Sequence, residues 1–271
     1  MDGLSERTSV SCLAAHHLRW RRAGRLIVDS VDLVVEQGEI VGLLGPNGAG
    51  KTVTLSMIAG LLEPTAGRVT IGTADVTKLP LHRRARLGLG YLPQDRSIFG
   101  KLSARDNILA ILETRHLTGR DAKRRADALL AQFGLSHVAK SRAAQLSGGE
   151  QRRLEVARSL ASQPTFLLFD EPFAGIDPLT IESLHAILVQ LRGAGVGILL
   201  TDHNVHETLS LCDRAYILFR GRVLAQGTPA ELIAHPDVRR HFLGDSFWNE
   251  SSCPDVGHSA SQICEVGDLD P

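Results

Sequence analysis

A chain of 271 residues with 30 Lys/Arg balanced by 30 Asp/Glu and 43% hydrophobic residues has the make-up of a globular protein able to bury a full core. Its formal net charge of +0 supplies no global electrostatic footprint for nucleic acid or an anionic membrane surface. Cys12, Cys212, Cys253 and Cys264 stand apart without a CxxC pair, which speaks against structural zinc and a disulfide scaffold and for a reducing cytoplasm.

In chain order, residues 1–12 read as an extension, and "MDGLSERTSV" lacks the charged-then-apolar layout of a signal peptide. No apolar run later reaches the roughly 18 residues of a membrane span, so membrane contact is expected through partners only. Short alternating stretches near the start and "GRVTIGTADVT" predict a small antiparallel sheet.

"EIVGLLG" reads as a buried strand and "TVTLSMIAGLL" as a helix, and between them Gly45, Pro46, Asn47, Gly48, Ala49, Gly50, Lys51 and Thr52 fill the GxxxxGK[ST] pattern. Glycine gives up more freedom on folding than any other residue, so this loop needs a ligand to offset its cost. Inward-facing N–H groups and the positive end of the following helix make that ligand a phosphate. Lys51 is expected on the β and γ phosphates of ATP, and Thr52 on Mg2+.

Further on, "DAKRRADALLAQFGL" repeats apolar positions at helical intervals, predicting a helical subdomain at about 95–160 inserted in a P-loop α/β core. Ser147 and Glu150 form a capping box, with Gly148 and Gly149 baring N–H groups in the first turn. That end is read as a second phosphate-facing terminus. "TFLLFDEP" is a buried strand whose C-terminal end carries Asp170 and Glu171, at the sheet edge where ligands bind. Asp170 would order the magnesium shell and Glu171 polarise the water that attacks the γ-phosphate. "GVGILLTDHN" ends with His203 at the equivalent edge, a γ-phosphate contact. "AYILFRGRVLAQG" reads as a hairpin, and "TPAEL" starts a helix with Thr228 as cap and Glu231 closing its box. From Trp248 the pattern fades into acids, Ser and Gly without Lys or Arg, so residues 248–271 are expected to be a disordered tail.

With LSGGE at Leu146 to Glu150, the chain from 13 to 247 resembles the ATPase subunits of ABC transporters. The resemblance implies a P-loop ABC ATPase core, a small antiparallel β subdomain and a helical signature subdomain. It makes Gln94 in "GYLPQ" the glutamine-loop residue near the metal, Asp170 and Glu171 the Walker B aspartate and catalytic glutamate, Asp177 the D-loop residue and His203 the switch histidine. It also implies a head-to-tail homodimer, in which Ser147, Gly148 and Gly149 of one subunit cover ATP on the other. The linking sequences, "GYLPQDRSIFGKLSARDNI" and "DEPFAGIDP" among them, are similar to ATPases of lipopolysaccharide exporters. ATPases of branched-chain amino-acid importers are the alternative, and a weakly hydrolysing dimerisation switch is a third reading.

The exporter resemblance implies two transmembrane permease subunits of the LptF and LptG kind, a place on the cytoplasmic face of the inner membrane, and a docking groove near Ser97, Ile98, Phe99 and Leu102. Two positions depart from the family. Where it stacks adenine on an aromatic, alignment places Arg22, with Trp20 two residues earlier on the same strand face. Where it has a second hydroxyl contacting the α-phosphate, this chain has Val53, a loss of about 1.5–3 kcal/mol in binding if nothing replaces the bond.

Overall fold

The computed structural model describes residues 12–95 and 97–243. The expectations for residues 1–11 and for the tail, with Cys253 and Cys264, lie outside the described residues.

Two sheets enclose one helix. The first is antiparallel, in the order β2-β1-β4-β5, from β1 (Cys12–Arg22), β2 (Arg25–Glu36), β4 (Ala66–Ile71) and β5 (Ala74–Asp75). Strand alternation turns Leu13 and Ala15 of β1 and Val31, Leu33 and Val35 of β2 inward, and a register shift after Ala15 brings Leu18 to the same side. The second sheet runs β10-β9-β3-β8-β7-β6. Its strands β3 (Ile40–Leu44), β6 (Leu89–Leu92), β7 (Phe166–Asp170), β8 (Gly197–Thr201) and β9 (Arg214–Phe219) are parallel, and β10 (Arg222–Gly227) returns antiparallel as the expected hairpin.

Every residue of β3, β7 and β8 is buried, as a sheet covered on both faces requires. The alternation is visible in β7. Phe166 and Leu168 face helix α1 (Lys51–Ala59) and the small sheet, whereas Leu167 and Phe169 face the other core. That second core holds α3 (Ala104–Thr114), α4 (Gly119–Gln132), α5 (Gly148–Leu160) and α6 (Pro178–Gly193). Both expected capping boxes are present, Ser147/Glu150 opening α5 and Thr228/Glu231 opening α8 (Pro229–Ala234).

One anchor had no signature in the sequence. Arg84, on the short helix α2 (Leu81–Arg86), is 1% exposed. Its guanidinium donates to the carbonyls of Met57 at 2.8 Å and Ile58 at 2.6 Å, and to those of Leu79 at 2.7 Å and Thr77 at 2.9 Å. The last carbonyls of α1 have no partner within the helix and carry its negative end, so a buried cation there answers both needs. Burial lowers the Arg84 pKa to about 10, which leaves it charged at neutral pH.

Candidate functional site

Parallel strands deliver their C-terminal ends to one edge, and the expected groups gather there. The loop 45–50 leaves β3 and turns into α1. Gly45 is obligatory at its position, because a Cβ there would lie 2.1 Å from the Leu218 carbonyl oxygen. Gly48 and Gly50, at φ 79° and 104°, occupy backbone conformations that other residues adopt only at a cost. Lys51 is 6% exposed and donates from Nζ to the Gly45 carbonyl at 2.6 Å and the Pro46 carbonyl at 3.3 Å. Burial lowers its pKa, opposed by the nearby charges of Glu171, Asp202 and Asp170.

Asp170 ends β7 and is 3% exposed. Its Oδ1 accepts from the Thr201 hydroxyl at 2.8 Å and from that of Thr52 at 3.4 Å, and its Oδ2 from the Tyr91 hydroxyl at 3.5 Å. Burial, then the neighbouring Asp170, raises the Tyr91 pKa to about 12, so the phenol stays a donor. Glu171 follows at φ 47°, an uncommon backbone conformation for a side chain this long. Its N–H is held by the Thr201 carbonyl at 2.8 Å. The turned backbone brings Glu171 Oε2 within 2.7 Å of Gln94 Nε2 and 3.6 Å of His203 Nδ1.

Sequence reasoning passed over Tyr91, Thr201 and Asp202, although "LLTDHN" displays the last two beside His203. Asp202 is fully buried and accepts the backbone N–H groups of Phe173 at 2.9 Å and Asn204 at 2.8 Å. It thereby fixes the loops after β7 and β8 against each other.

The remaining expected residues form a second group. Ser147 caps α5 and holds the Glu150 carboxylate, lowering its pKa. A Cβ on Gly149 would meet the Thr180 hydroxyl at 2.9 Å. Asp177, the N-cap of α6, accepts from the Thr180 N–H at 3.0 Å and hydroxyl at 2.7 Å. Among the described residues no hydrogen bond joins Ser147, Gly148, Gly149 or Asp177 to the loop 45–50.

Trp20 is half-buried against the core of the small sheet and lies across from Val28, whose methyl would lie 3.2 Å from a Cβ on Gly50. Arg22 is exposed, opposite Arg25 at the hairpin end. Val53 packs half-buried against the same core. The turn between β9 and β10 fastens this region to the loop. The Gly221 N–H reaches the Ala49 carbonyl at 3.0 Å, and its own carbonyl accepts the Asp29 N–H at 2.8 Å. The Asp29 carboxylate pairs with Arg222 and with Arg19.

A groove of about 510 Å3 opens where the chain leaves Gln94, with His82, Arg86, Ser97, Phe99, Arg115 and Arg158 among its lining. Helix α5 pins its wall. Glu155 Oε1 accepts the Ser97 N–H at 2.6 Å, and Arg158 donates to the Ser97 carbonyl and hydroxyl, each at 2.7 Å. The Arg158 guanidinium sits 5.1 Å from the centre of the Phe99 ring.

Thr52, Asp170 and Gln94 offer hard oxygen donors beside a phosphate-binding loop, a set that suits Mg2+ sharing substrate phosphates. Among the described residues no group of three or more His, Cys, Asp or Glu forms an all-protein metal cage. Nor, among them, is any helix long and apolar enough to cross a membrane.

The ABC transporter family model matches residues 28–174. A probable ABC transporter ATP-binding protein of Azorhizobium caulinodans is 53% identical over 243 residues, 89% of this chain and 85% of that protein. The lipopolysaccharide export system ATP-binding protein LptB of Escherichia coli K12 is 48% identical over 239 residues, 88% of this chain and 99% of LptB. In structure, the ADP conformation of MJ1267, an ATP-binding cassette of an ABC transporter, superimposes with a TM-score of 0.79. It is 23% identical and covers 87% of this chain and 99% of that one.

Proposed function

Since the chain belongs to the ABC transporter family of ATP-binding ATPase subunits, we propose that it powers lipopolysaccharide export. In this reading it works as a homodimer docked on two transmembrane permeases of the LptF and LptG kind, at the cytoplasmic face of the inner membrane. The observation that carries the substrate is the 48% identity to LptB across nearly the whole of both chains. The amino-acid importer is not the favoured reading.

The chemistry follows from the gathered groups. The N–H groups of residues 45–50, the start of α1 and the Lys51 ammonium would cradle the β and γ phosphates. Thr52, Asp170 and Gln94 would hold Mg2+, which when bound neutralises phosphate charge. Glu171 would act as the base toward water: Gln94 at 2.7 Å would orient its carboxylate, and His203, 3.6 Å from the same oxygen and 58% exposed, would reach a γ-phosphate. Glu171 and His203 would divide the work of taking the water proton and stabilising the leaving charge.

Among the described residues, Ser147, Gly148, Gly149 and Asp177 make no hydrogen bond to the subunit's own loop, and they are assigned to ATP held by the second subunit. The adenine would rest against the end of β1 that presents Trp20 and Arg22. Residues 13–247 make up the ATPase unit, with the helical insertion at about 95–160. The groove around Phe99 receives the permeases.

The test is a tagged Glu171→Gln variant trapped with ATP in source membranes, with co-purifying proteins identified by mass spectrometry and phosphate release measured beside the parent. An LptF- and LptG-like pair, with release slowed at least about 100-fold, is the expected result. Amino-acid permeases in their place would overturn the exporter, and equal phosphate release would overturn the role of Glu171.

A further inference from the structure

The balanced charge of this chain is unevenly spread. Between α3 and α4 it reads "RHLTGRDAKRR", in which Arg115, Arg120, Lys123, Arg124 and Arg125 face Asp121 alone. All of these charged side chains are exposed. Asp121 pairs with Arg124 at 3.2 Å, while Arg115, Arg120, Lys123 and Arg125 make no ion pair with another described residue. Helix α4 begins at Gly119, so Arg120 and Lys123 sit at the end where the helix dipole disfavours cations. Such an arrangement is self-repelling in isolation and is relieved by an anion.

The surface around these residues is concave and has apolar parts. Arg115, Arg124 and Arg125 rim a cleft of about 610 Å3 that Leu112, Leu117 and Ala128 also line. Arg115 lines the docking groove as well, together with exposed His82 and Arg86, which are followed in sequence by exposed Leu87. One face thus combines the groove, a basic rim and partly exposed apolar side chains. A solvated charged face has no need of apolar surface between its cations, whereas the headgroup layer of a membrane accepts both.

We propose that this face binds anionic phospholipid headgroups on the membrane surface around the permeases, with Arg115, Arg124 and Arg125 as its main contacts. The inference rests on the docked reading above, which turns the groove toward the membrane. It also revises the expectation of membrane contact through partners only, because a chain of zero net charge can carry a local basic surface. Each basic residue near an anionic bilayer strengthens partitioning about fivefold, so the three together amount to about a hundred-fold.

The test is co-sedimentation of the full chain with vesicles of phosphatidylcholine alone, or of equal parts phosphatidylcholine and phosphatidylglycerol. The comparison is a variant carrying Arg115→Gln, Arg124→Gln and Arg125→Gln, whose thermal melt should match the parent. The expected result is salt-sensitive binding to the phosphatidylglycerol vesicles that falls at least about 100-fold in the variant. Absence of binding, equal binding to phosphatidylcholine alone, or undiminished binding by the variant overturns the proposal. So does displacement by inorganic phosphate at the same concentration as the lipid phosphate, which would identify a soluble anion as the ligand. The vesicles contain no permease, so failure here leaves the co-purification result standing, and failure there leaves this one readable.

Discussion

Replacing Arg84 by Met removes the buried cation from the end of α1 at similar length. Four hydrogen bonds disappear, those to Met57, Ile58, Leu79 and Thr77, and at about 1.5 kcal/mol for each bond to a charged donor the gross loss is about 6 kcal/mol. Part of this is returned, because the charge no longer has to be kept out of water. The lowering of the pKa to about 10 corresponds to about 3 kcal/mol at 1.36 kcal/mol per pH unit. The net loss is therefore about 3 kcal/mol, or about 6–12 °C in Tm for a domain of this size. Differential scanning calorimetry without nucleotide reads it directly, since ligand would stabilise both proteins unequally. A fall of less than about 2 °C would refute the reasoning, showing that water satisfies the four carbonyls as well as the guanidinium does.

Thr201→Val keeps the buried shape but removes the closest hydrogen bond to Asp170. The Mg2+ concentration for half-maximal binding of a fluorescent ATP analogue should rise about tenfold, the equivalent of one hydrogen bond to a charged group, and an unchanged requirement would count against this role. Glu150 has its pKa lowered below 4.5 by the Ser147 N–H and hydroxyl. Its stabilisation of α5 is therefore complete above pH 4.5 and lost as pH falls through the lower folded value. Ser147→Ala should lose about 1 kcal/mol near neutrality and show a shallower acid transition by circular dichroism; identical acid curves would contradict the assignment. Phe99→Ala removes a side chain 47% exposed in the groove and should leave the subunit folded while uncoupling export from ATP binding. Unchanged assembly and ATPase activity of the whole transporter would rule that out.

Much of this architecture is written locally, and so could be read. The P-loop pattern is contiguous, the two capping boxes need only neighbours in sequence, and β3, β7 and β8 declare double-sided burial by apolar runs that turn polar only at the C-terminal ends of β7 and β8. What escaped depends on which elements meet. Arg84 looks like one of several arginines in "LHRRARLG" until α2 is seen packed on the end of α1. Thr201 and Tyr91 become partners of Asp170 only because β8 and β6 flank β7, an order that periodicity does not encode. Arg22 could be aligned with an aromatic position, but the bulges in the β1–β2 pairing decide which side chains approach the loop. The basic stretch at 115–125 was visible in the sequence, yet its nearness to the groove was not.

Helix α5 begins at the cap formed by Ser147 and carries Glu155 and Arg158, the residues that hold Ser97, further along the same rod. At 1.5 Å per residue, some 12–17 Å separate the two ends of that connection. In the proposed head-to-tail pair, one end of the rod answers to the nucleotide of the other subunit and the far end to its own groove. Information about occupancy therefore crosses over: ATP bound on the left is announced on the right. A dimer with a single inactivated P-loop should accordingly falter at the permease opposite the lesion, and the two halves of the machine cannot keep separate time.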